Sequence, residues 1–261
     1  MSRLEPVFSA CRAESRAALI GYLPAGYPTV EGSKDVLRTM VSSGCDLVEV
    51  GLPFSDPVMD GPTIQRAAEQ ALRGGFRVRD LFGVVESVAS AGGRAVVMTY
   101  WNPVLAYGVD RFARDLAAAG GLGVITPDLV PDEGAEWIAA TDAHDLDRIF
   151  LVAPSSTDER IDLTARSSRG FLYATSVMGV TGARDVVSSA APALVKRVRE
   201  HTDMPVGVGL GVRNGAQAAE LAGFADGVIV GSAFVSAVQD DAVAALAEEL
   251  ATGVRQPAAA V

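Results

Sequence analysis

The sequence predicts an α/β protein that folds as a single (β/α)8 barrel, and three observations support this fold class. Short runs rich in Val, Ile and Leu alternate with longer amphipathic stretches along the chain. Eight such runs, each followed by a helical pattern, fit into 261 residues, which is a usual size for this barrel. The runs lack apolar–polar alternation, as expected for parallel strands that are buried on both faces.

The strands are predicted where the apolar runs are too short for helices, at Ala17–Leu23, Leu47–Gly51, Ala95–Thr99, Gly123–Thr126, Arg148–Val152, Gly170–Ala174, Pro205–Gly209 and Gly227–Val230. The helices are predicted at Val30–Ser43, Thr63–Ala91 (as two pieces), Val109–Ala119, Pro131–His144, Asp158–Ser168, Ser189–His201, Asn214–Ala222 and Ser236–Ala251, with an additional one at Leu4–Glu14. Pro131 suits a first helical turn and Asn214 suits an N-cap. We expect one domain over residues 1–261, with a core from about residue 15 to residue 252 and a short flexible C-terminal tail.

A doubly wound open sheet is the competing architecture. It would favour a Gly-x-Gly-x-x-Gly turn after the first strand, and the segment Leu23–Pro28 lacks that pattern. In a barrel, catalytic and binding residues lie at the C-terminal ends of the strands and in the loops that follow them.

The composition excludes several classes of function. The chain carries 22 Lys and Arg against 32 Asp and Glu, a formal charge of −10, whereas nucleic acids and anionic membranes select basic patches. Cys11 and Cys45 do not form a disulfide framework or a thiolate metal site. His144 and His201 stand far apart in polar settings, which indicates surface or connecting positions. The charged N-terminus is unlike a signal peptide and no apolar stretch is long enough to span a bilayer, so we expect a cytoplasmic protein.

The second predicted strand carries a carboxylate near its C-terminal end. Glu49 interrupts an apolar run, and burial among apolar neighbours raises the pKa of a carboxyl, which suits a group that both gives and takes a proton. A structural ion pair with a cation inside the barrel is the alternative. Asp60, in Asp-Gly-Pro before a helix, is equally explained as a turn or N-cap residue, and Asp56 in Ser-Asp-Pro is a plausible turn residue.

Glycines follow the last two predicted strands. Gly209-x-Gly211 ends the seventh strand and Gly231-Ser232 follows the eighth, close to a helix start. Many barrels bind phosphate in this arrangement, although glycine also serves ordinary turns. The loop Gly179–Arg184, after the sixth strand, is long enough to close over a site.

Nine segments resemble the α subunits of tryptophan synthase, in order from about residue 18 to residue 235: Gly21–Pro28, Val48–Gly51, Pro53–Pro57, Asp60–Gln65, Tyr100-x-Asn102-Pro103, Pro127–Leu129, Gly179–Gly182, Gly209-x-Gly211 and Val230–Ser232. The Pro-Phe-Ser-Asp-Pro and Gly-Val-Thr-Gly strings are specific, whereas the glycine pairs are not. The N-terminal helix and the tail after Ala251 add nothing to the resemblance.

The resemblance implies cleavage of indole-3-glycerol phosphate to indole and glyceraldehyde 3-phosphate, without a metal or organic cofactor. By resemblance, Glu49 transfers protons at indole C3 and at the side-chain hydroxyl, and Asp60 faces the ring nitrogen. Tyr173 would hydrogen-bond near Glu49, unless it is a core tyrosine. The resemblance implies three further sets of substrate contacts. An apolar indole slot, equally explained as barrel core, would be formed by Tyr22, Met98, Ile125, Leu151, Leu210 and Ile229. Thr181 on the closing loop would lie next to Asp60, and Gly182, Gly211, Gly231 and Ser232 would donate hydrogen bonds to the phosphate.

The resemblance also implies a partner, a pyridoxal-phosphate-dependent β subunit in an α2β2 heterotetramer, with indole passing between the subunits. The loops Pro53–Met59 and Asn102–Tyr107 would form the docking surface, through Pro53, Phe54, Asp56, Pro57, Asn102 and Pro103. Pocket lining explains the apolar content of these loops equally well.

Three other functions stay open at this point. One is a stand-alone lyase that releases free indole, which the sequence does not separate from the partnered enzyme. A weakly active regulatory subunit is disfavoured by the presence of both Glu49 and Asp60. Another phosphate-handling barrel, such as a sugar-phosphate isomerase, is disfavoured because the strand ends carry no His or Lys.

Overall fold

The predicted parallel barrel is confirmed by a computed structural model, which describes residues 2–175, 190–209 and 211–257. Its strands are β1 (Ala18–Pro24), β2 (Leu47–Gly51), β3 (Ala95–Met98), β4 (Gly123–Ile125), β5 (Asp147–Ile149), β6 (Leu151–Val152), β7 (Leu172–Thr175), β8 (Val206–Gly209) and β9 (Gly227–Val230). All the pairings are parallel, in the order β5-β4-β3-β2-β1-β9-β8-β7-β6. The two ends of this order are halves of one predicted strand, interrupted at Phe150, so the sheet closes on itself.

Helices cover the outside of the sheet and lie close to their predicted positions: α1 (Glu5–Ala13), α2 (Val30–Ser42), α3 (Pro62–Arg73), α4 (Val78–Ser90), α5 (Trp101–Tyr107), α6 (Val109–Ala118), a 3-10 turn (Pro131–Glu133), α7 (Ala135–Ala143), α8 (Asp158–Ser167), α9 (Ala190–Arg199), α10 (Gly215–Ala222), α11 (Ser232–Gln239) and α12 (Val243–Arg255). Asn214 caps α10 by accepting a hydrogen bond from the backbone N–H of Gln217, as predicted. Ser189, the predicted start of α9, lies outside the described residues.

The helices differ from the prediction in three places. The single helix predicted over Ser236–Ala251 is two helices, because Asp241 adopts a left-handed conformation with φ 52° and ends α11. The backbone N–H of Ala242 then bonds to the carbonyl of Ala237, as in a Schellman motif. Helix α5 was not predicted, and Pro131–Glu133 form a 3-10 turn in place of the first turn of α7.

Alternate strand residues fill the barrel interior, and α1 closes its N-terminal end. Residues that face inwards, among them Ile20, Leu47 and Val96, pack together with Val7 and Phe8 of α1. The remaining strand residues face outwards and form a larger core with the surrounding helices. One end of the interior is therefore sealed by apolar packing, which leaves the opposite end for polar residues.

A buried carboxylate fastens α1 to this closed end. Asp147 is fully buried, and its Oδ2 accepts hydrogen bonds from Ser2 Oγ at 2.7 Å and from Leu4 N at 2.9 Å. Its Oδ1 lies 3.4 Å from Nε of Arg169, which also binds the exposed Asp145. Asp147 thus joins the N-terminal segment to the barrel at a site shielded from water.

We expect Asp147→Asn to lower the free energy of unfolding by about 1–3 kcal/mol, because it removes the buried charge that faces Arg169 and weakens the two hydrogen bonds that Oδ2 accepts. Denaturant unfolding measures this loss, and hydrogen exchange of α1 amides locates it. Asp145→Asn removes an exposed partner of the same arginine and should change stability much less. Equal losses in the two variants would contradict the assigned role of Asp147.

Candidate active site

Glu49 lies inside the barrel, where its side chain meets the apolar interior. It pairs in register with Tyr22 on one side and with Val96 on the other, and Val96 belongs to the interior core. Residues in register on parallel strands point to the same face of the sheet. Glu49 is 1% exposed, and within the described residues its Oε1 has no hydrogen-bond partner. In the same residues no Lys or Arg forms an ion pair with it.

Burial has a direct electrostatic consequence for this carboxyl. Loss of water raises the pKa of Glu49 from 4.5 to about 8. Near neutral pH the side chain therefore holds its proton but can release it at moderate cost. A carboxyl in this condition is suited to act in turn as a general acid and a general base.

Asp60 provides a second buried carboxyl in the loop after β2. It is 8% exposed, and burial raises its pKa to about 6, although a hydrogen bond from the Tyr100 hydroxyl lowers the pKa in part. Helix α3 begins at Pro62, with Gly61 as an N-cap that provides no side-chain bond. Asp60 therefore does not cap α3, and its carboxylate is available to the site.

Three tyrosines surround the two carboxyls. Burial raises the pKa of Tyr22 and of Tyr173 well above the usual value, and the charges of Asp60 and Glu49 contribute to both shifts. Sequence analysis did not identify the third, Tyr100, as a site residue. Its only signal was its position directly after β3, in the Tyr100-x-Asn102-Pro103 string.

Glycines make room for two of these tyrosines. A Cβ on Gly51 would lie 2.4 Å from the Tyr22 hydroxyl, and one on Gly209 would lie 2.3 Å from the Tyr173 hydroxyl. The first glycine of Gly209-x-Gly211 therefore accommodates an aromatic ring inside the barrel. Only Gly211, with φ 69°, lies in the neighbouring cavity.

The predicted apolar residues lie on the inner face of the sheet, in two positions. Ile125 and Ile229 are buried in the interior core. Met98 and Leu151 are partly buried and pack against that core. The second pair is therefore better placed to contact a bound ring, while the first pair supports it from below.

A cavity of about 450 Å³ runs along α11 and α12, from Ser232 at the start of α11 to Leu246 and Glu249 of α12, and Thr63 of α3 also lines it. Gly211 belongs to its lining too, and neither α3 nor α11 has a side-chain cap at its N-terminus. Uncapped helix N-termini present backbone N–H groups and a positive partial charge to an anion. Arg213 adds a cation to the lining, and Asp240 and Glu249 add carboxylates.

Gly231 connects the cavity to the carboxyl cluster. A Cβ on Gly231 would lie 3.4 Å from Cδ1 of Tyr22 and 3.5 Å from Cδ1 of Ile64. Tyr22 in turn pairs with Glu49 across β1 and β2. A ligand of modest length could therefore place an anionic group in the cavity and an apolar group near Glu49. Thr181, Gly182 and Leu210, with the predicted closing loop Gly179–Arg184, lie outside the described residues.

The residues predicted to dock a partner lie on the same rim. Asp56 and Asn102 are exposed, whereas Pro53 is buried. Phe54, Pro57 and Pro103 are half-buried, and Phe54 packs on Tyr100. The large apolar side chains most exposed in the described part of the chain, Val58, Leu105 and Val130, follow the adjacent strands β2, β3 and β4.

The histidines lie away from this end, as predicted. His144 ends α7 and contacts Asp110 at 2.8 Å, and His201 follows α9 and contacts Asp162 at 2.8 Å. Across the described residues, no group of three or more His, Cys, Asp or Glu could hold a metal ion. No helix in that part of the chain is long and apolar enough to cross a membrane.

The chain matches known proteins over nearly its whole length. Residues 8–259 match the family model described as tryptophan synthase alpha chain. A protein of that name from Nocardia farcinica is 70% identical over 97% of this chain and 96% of its own, and one from Mycobacterium bovis is 67% identical over 97% and 95%. A Mycobacterium tuberculosis tryptophan synthase structure superposes with a TM-score of 0.95 at 66% identity, covering 97% of this chain and 98% of the other. The alpha chain from Legionella pneumophila gives a TM-score of 0.88 at 30% identity, covering 97% of each.

We expect Glu49→Gln to stabilise the fold at alkaline pH. Between pH 4.5 and about 8 the folded wild type holds one proton more than the unfolded chain, so its stability falls as pH rises. The stability gap between variant and wild type should widen by up to about 1.4 kcal/mol per pH unit in that window and level off above it. Denaturant unfolding across the pH range measures the gap. Glu248→Gln, at an exposed position, is the control, and parallel curves for Glu49→Gln and wild type would exclude a raised pKa.

Proposed function

The chain belongs to the tryptophan synthase alpha chain family, and from that membership we propose that it cleaves indole-3-glycerol phosphate with Glu49 and Asp60 as its catalytic carboxyls. The reaction is a retro-aldol cleavage that gives indole and glyceraldehyde 3-phosphate. The observation that supports the assignment of residues is the position of Glu49, which is buried inside the barrel and has no ion-pair partner among the described residues.

Glu49 begins the reaction as the acid. Direct cleavage of the bond between indole C3 and the side chain would expel a poor carbanion. Protonation of C3 by Glu49 gives an indolenine cation, whose ring nitrogen can accept the bonding electrons. A pKa of about 8 leaves Glu49 protonated at neutral pH, as this step requires.

The same carboxyl then acts as the base. Having given its proton to C3, the Glu49 carboxylate takes the proton of the side-chain hydroxyl. The C–C bond breaks as the hydroxyl carbon becomes the aldehyde, and the electron pair of the broken bond restores the aromatic ring. Glu49 is protonated again when indole and glyceraldehyde 3-phosphate leave, so one group completes the cycle.

Asp60 acts at the ring nitrogen. With a pKa of about 6 it is mostly ionised near neutrality, so it can accept the N–H hydrogen bond that strengthens as positive charge develops. Burial raises the pKa of both carboxyls, that of Glu49 to about 8 and that of Asp60 to about 6, where a hydrogen bond from Tyr100 offsets part of the rise. Tyr173 and Tyr22 add hydroxyls near both groups.

The two ends of the substrate fit different parts of the site. The phosphate would bind in the cavity, on the N-termini of α3 and α11, with Gly211, Gly231 and Ser232 as donors. The indole ring would lie against Met98 and Leu151, with Ile125 and Ile229 beneath it. Leu210, Thr181 and Gly182 are proposed contacts from the sequence alone.

A β subunit is the proposed partner, in an α2β2 assembly that works in the cytoplasm. Val58, Leu105 and Val130 support docking on the rim, since a single protein rarely exposes several large apolar side chains on adjacent loops. Asp56 and Asn102 would supply polar contacts at the edge of that surface, with Pro53, Phe54, Pro57 and Pro103 supporting the loops.

The direct test is incubation with indole-3-glycerol phosphate, with and without a β subunit, while indole release is followed. Weak activity alone that rises strongly with the β subunit supports the proposal in full. High activity alone identifies a stand-alone lyase. An absence of cleavage under both conditions rejects the lyase assignment.

We expect Glu49→Gln to remove nearly all cleavage while leaving phosphate-ligand binding intact, because the volume is kept and only the titrating proton is lost. Asp60→Asn should lower the rate substantially but less completely. Turnover of Glu49→Gln near the wild-type rate would reject the mechanism.

The wild-type profile of kcat/KM against pH should be bell-shaped, with its acid limb near pH 6 from Asp60 and its alkaline limb near pH 8 from Glu49.

Substitution of Gly211 tests the phosphate site. Gly211→Val should raise KM for the phosphorylated substrate, because a side chain would block approach to the backbone donors. Gly92→Val is a matched control, since Gly92 also has positive φ but lies in open space on the α4–β3 connection. Ser232→Ala removes a hydroxyl donor without backbone strain and should shift KM in the same direction. An unchanged KM in both site variants would remove the phosphate assignment.

A further inference from the structure

Gln65 holds the backbone on both sides of Gly61. Its backbone N–H donates to the carbonyl of Gly61 at 2.9 Å, which is the first hydrogen bond of α3. Its side-chain Nε2 donates to the carbonyl of Asp60 at 2.8 Å. The two peptide groups that flank Gly61 are therefore both bonded to one residue of α3.

The side-chain bond limits the directions in which Asp60 can point. Residues 52–61 lie between β2 and α3 and belong to neither a helix nor a strand, so no backbone ladder holds the Asp60 carbonyl. Rotation about the Cα–C bond of Asp60 moves this carbonyl relative to the side chain, so a fixed carbonyl restricts the carboxylate. On the preceding side, the N–H of Met59 donates to Tyr100 Oη at 3.1 Å. Asp60, which is 8% exposed, is thus restrained both before and after its Cα.

Helix α3 gives the Gln65 bond a rigid base. Its buried residues are Ile64, Ala67, Ala68 and Ala71. Ile64 also lies beside the start of α11, since a Cβ on Gly231 would be 3.5 Å from Ile64 Cδ1. Thr63 lines the cavity proposed for the phosphate. The first turn of α3 therefore contacts the anion end of the site and, through Gln65, also carries Asp60.

We propose that Gln65 is a positioning residue for the catalytic carboxylate: through the Asp60 carbonyl it keeps Asp60 at a fixed distance from the phosphate end of the site. The inference rests on the proposed function and adds to it a residue that acts through Asp60 without contact with the substrate. Gln65 is exposed, and its amide is engaged by the backbone. An amide suits this task because it is a neutral donor, which reaches the carbonyl without placing a charge next to Asp60.

The test is Gln65→Met, which keeps the length and the helix propensity of the side chain but deletes the donor. We expect kcat for cleavage of indole-3-glycerol phosphate to fall about tenfold, because a displaced carboxylate meets the ring nitrogen in poor geometry. KM should change by less than about twofold, since the phosphate donors are untouched. Gln70→Met is the matched control, because the Gln70 amide is exposed on the same helix and donates to the carbonyl of Pro28 at 3.2 Å. This control should leave kcat and KM unchanged.

A double-mutant cycle separates positioning of Asp60 from a general effect on the fold. In the Asp60→Asn background the carboxylate is already lost, so Gln65→Met should lower the remaining kcat by less than about twofold. A purely structural role would give the same loss with and without the carboxylate. An unchanged kcat in Gln65→Met, or equal losses in the two backgrounds, would overturn the proposal.

A further readout does not depend on turnover. Carboxyl ¹³C NMR, assigned with Asp60→Asn, gives the pKa of Asp60 directly. The pKa should fall from about 6 toward its ordinary value of 3.8 in Gln65→Met, because a carboxyl released from the helix reaches water, and it should stay near 6 in Gln70→Met. A titration in Gln65→Met equal to that of wild type would overturn the positioning role. Absence of cleavage by wild type would instead reject the proposed function, and the titration would still decide whether Gln65 holds Asp60 in place.

Discussion

The rest of the site depends on the burial of one carboxyl without a counter-charge. Glu49 occupies an inward position on β2, between Tyr22 and Val96, where most side chains are apolar. A cation at this place would lower the pKa and fix the group as a permanent carboxylate. No such cation pairs with Glu49 among the described residues, so its pKa stays at about 8, where the side chain can both give and take a proton. The cost to folding is offset elsewhere, by the apolar core between the strands and the outer helices and by the packing of α1 at the opposite end of the barrel.

Glycines in and after the strands leave the space in which other groups of the site approach Glu49. Gly51 and Gly209 leave room for the rings of Tyr22 and Tyr173, so hydroxyl groups can approach the carboxyls where a Cβ would obstruct them. Gly231, directly before α11, lies against Tyr22, since a Cβ there would be 3.4 Å from Cδ1 of the ring. The distances between the acid, the ring-binding surface and the anion site therefore follow from the register of adjacent strands and not from mobile side chains.

The sequence predicts features that are local, and it misses those that depend on distant residues. All the strands were predicted because buried parallel strands are short apolar runs, and Glu49 was identified because it breaks one of them. Helix α5 was missed because its N-terminal N–H is satisfied by Asp128, 27 positions away, while Asn102-Pro103 looks like a turn. Asp241, which ends α11, has no periodicity or motif that marks it, and Tyr100 was marked only by its place in the Tyr100-x-Asn102-Pro103 string. For Asp60 the sequence left two interpretations, and the start of α3, where Gly61 is the N-cap, shows only that Asp60 does not cap this helix.

The charge balance of the proposed reaction favours a phosphate site built from backbone groups. A bound phosphate adds negative charge near the cluster and acts on Glu49 in the same direction as burial, so the acid stays protonated when substrate is present. Once C3 is protonated, the indolenine cation lies beside the new Glu49 carboxylate, and the two charges stabilise each other. Lysines placed around Glu49 to hold the phosphate would have ionised the acid too early. Helix N-termini at α3 and α11 offer an anion partial charges at a fixed place, and they leave the carboxyl free to hold its proton.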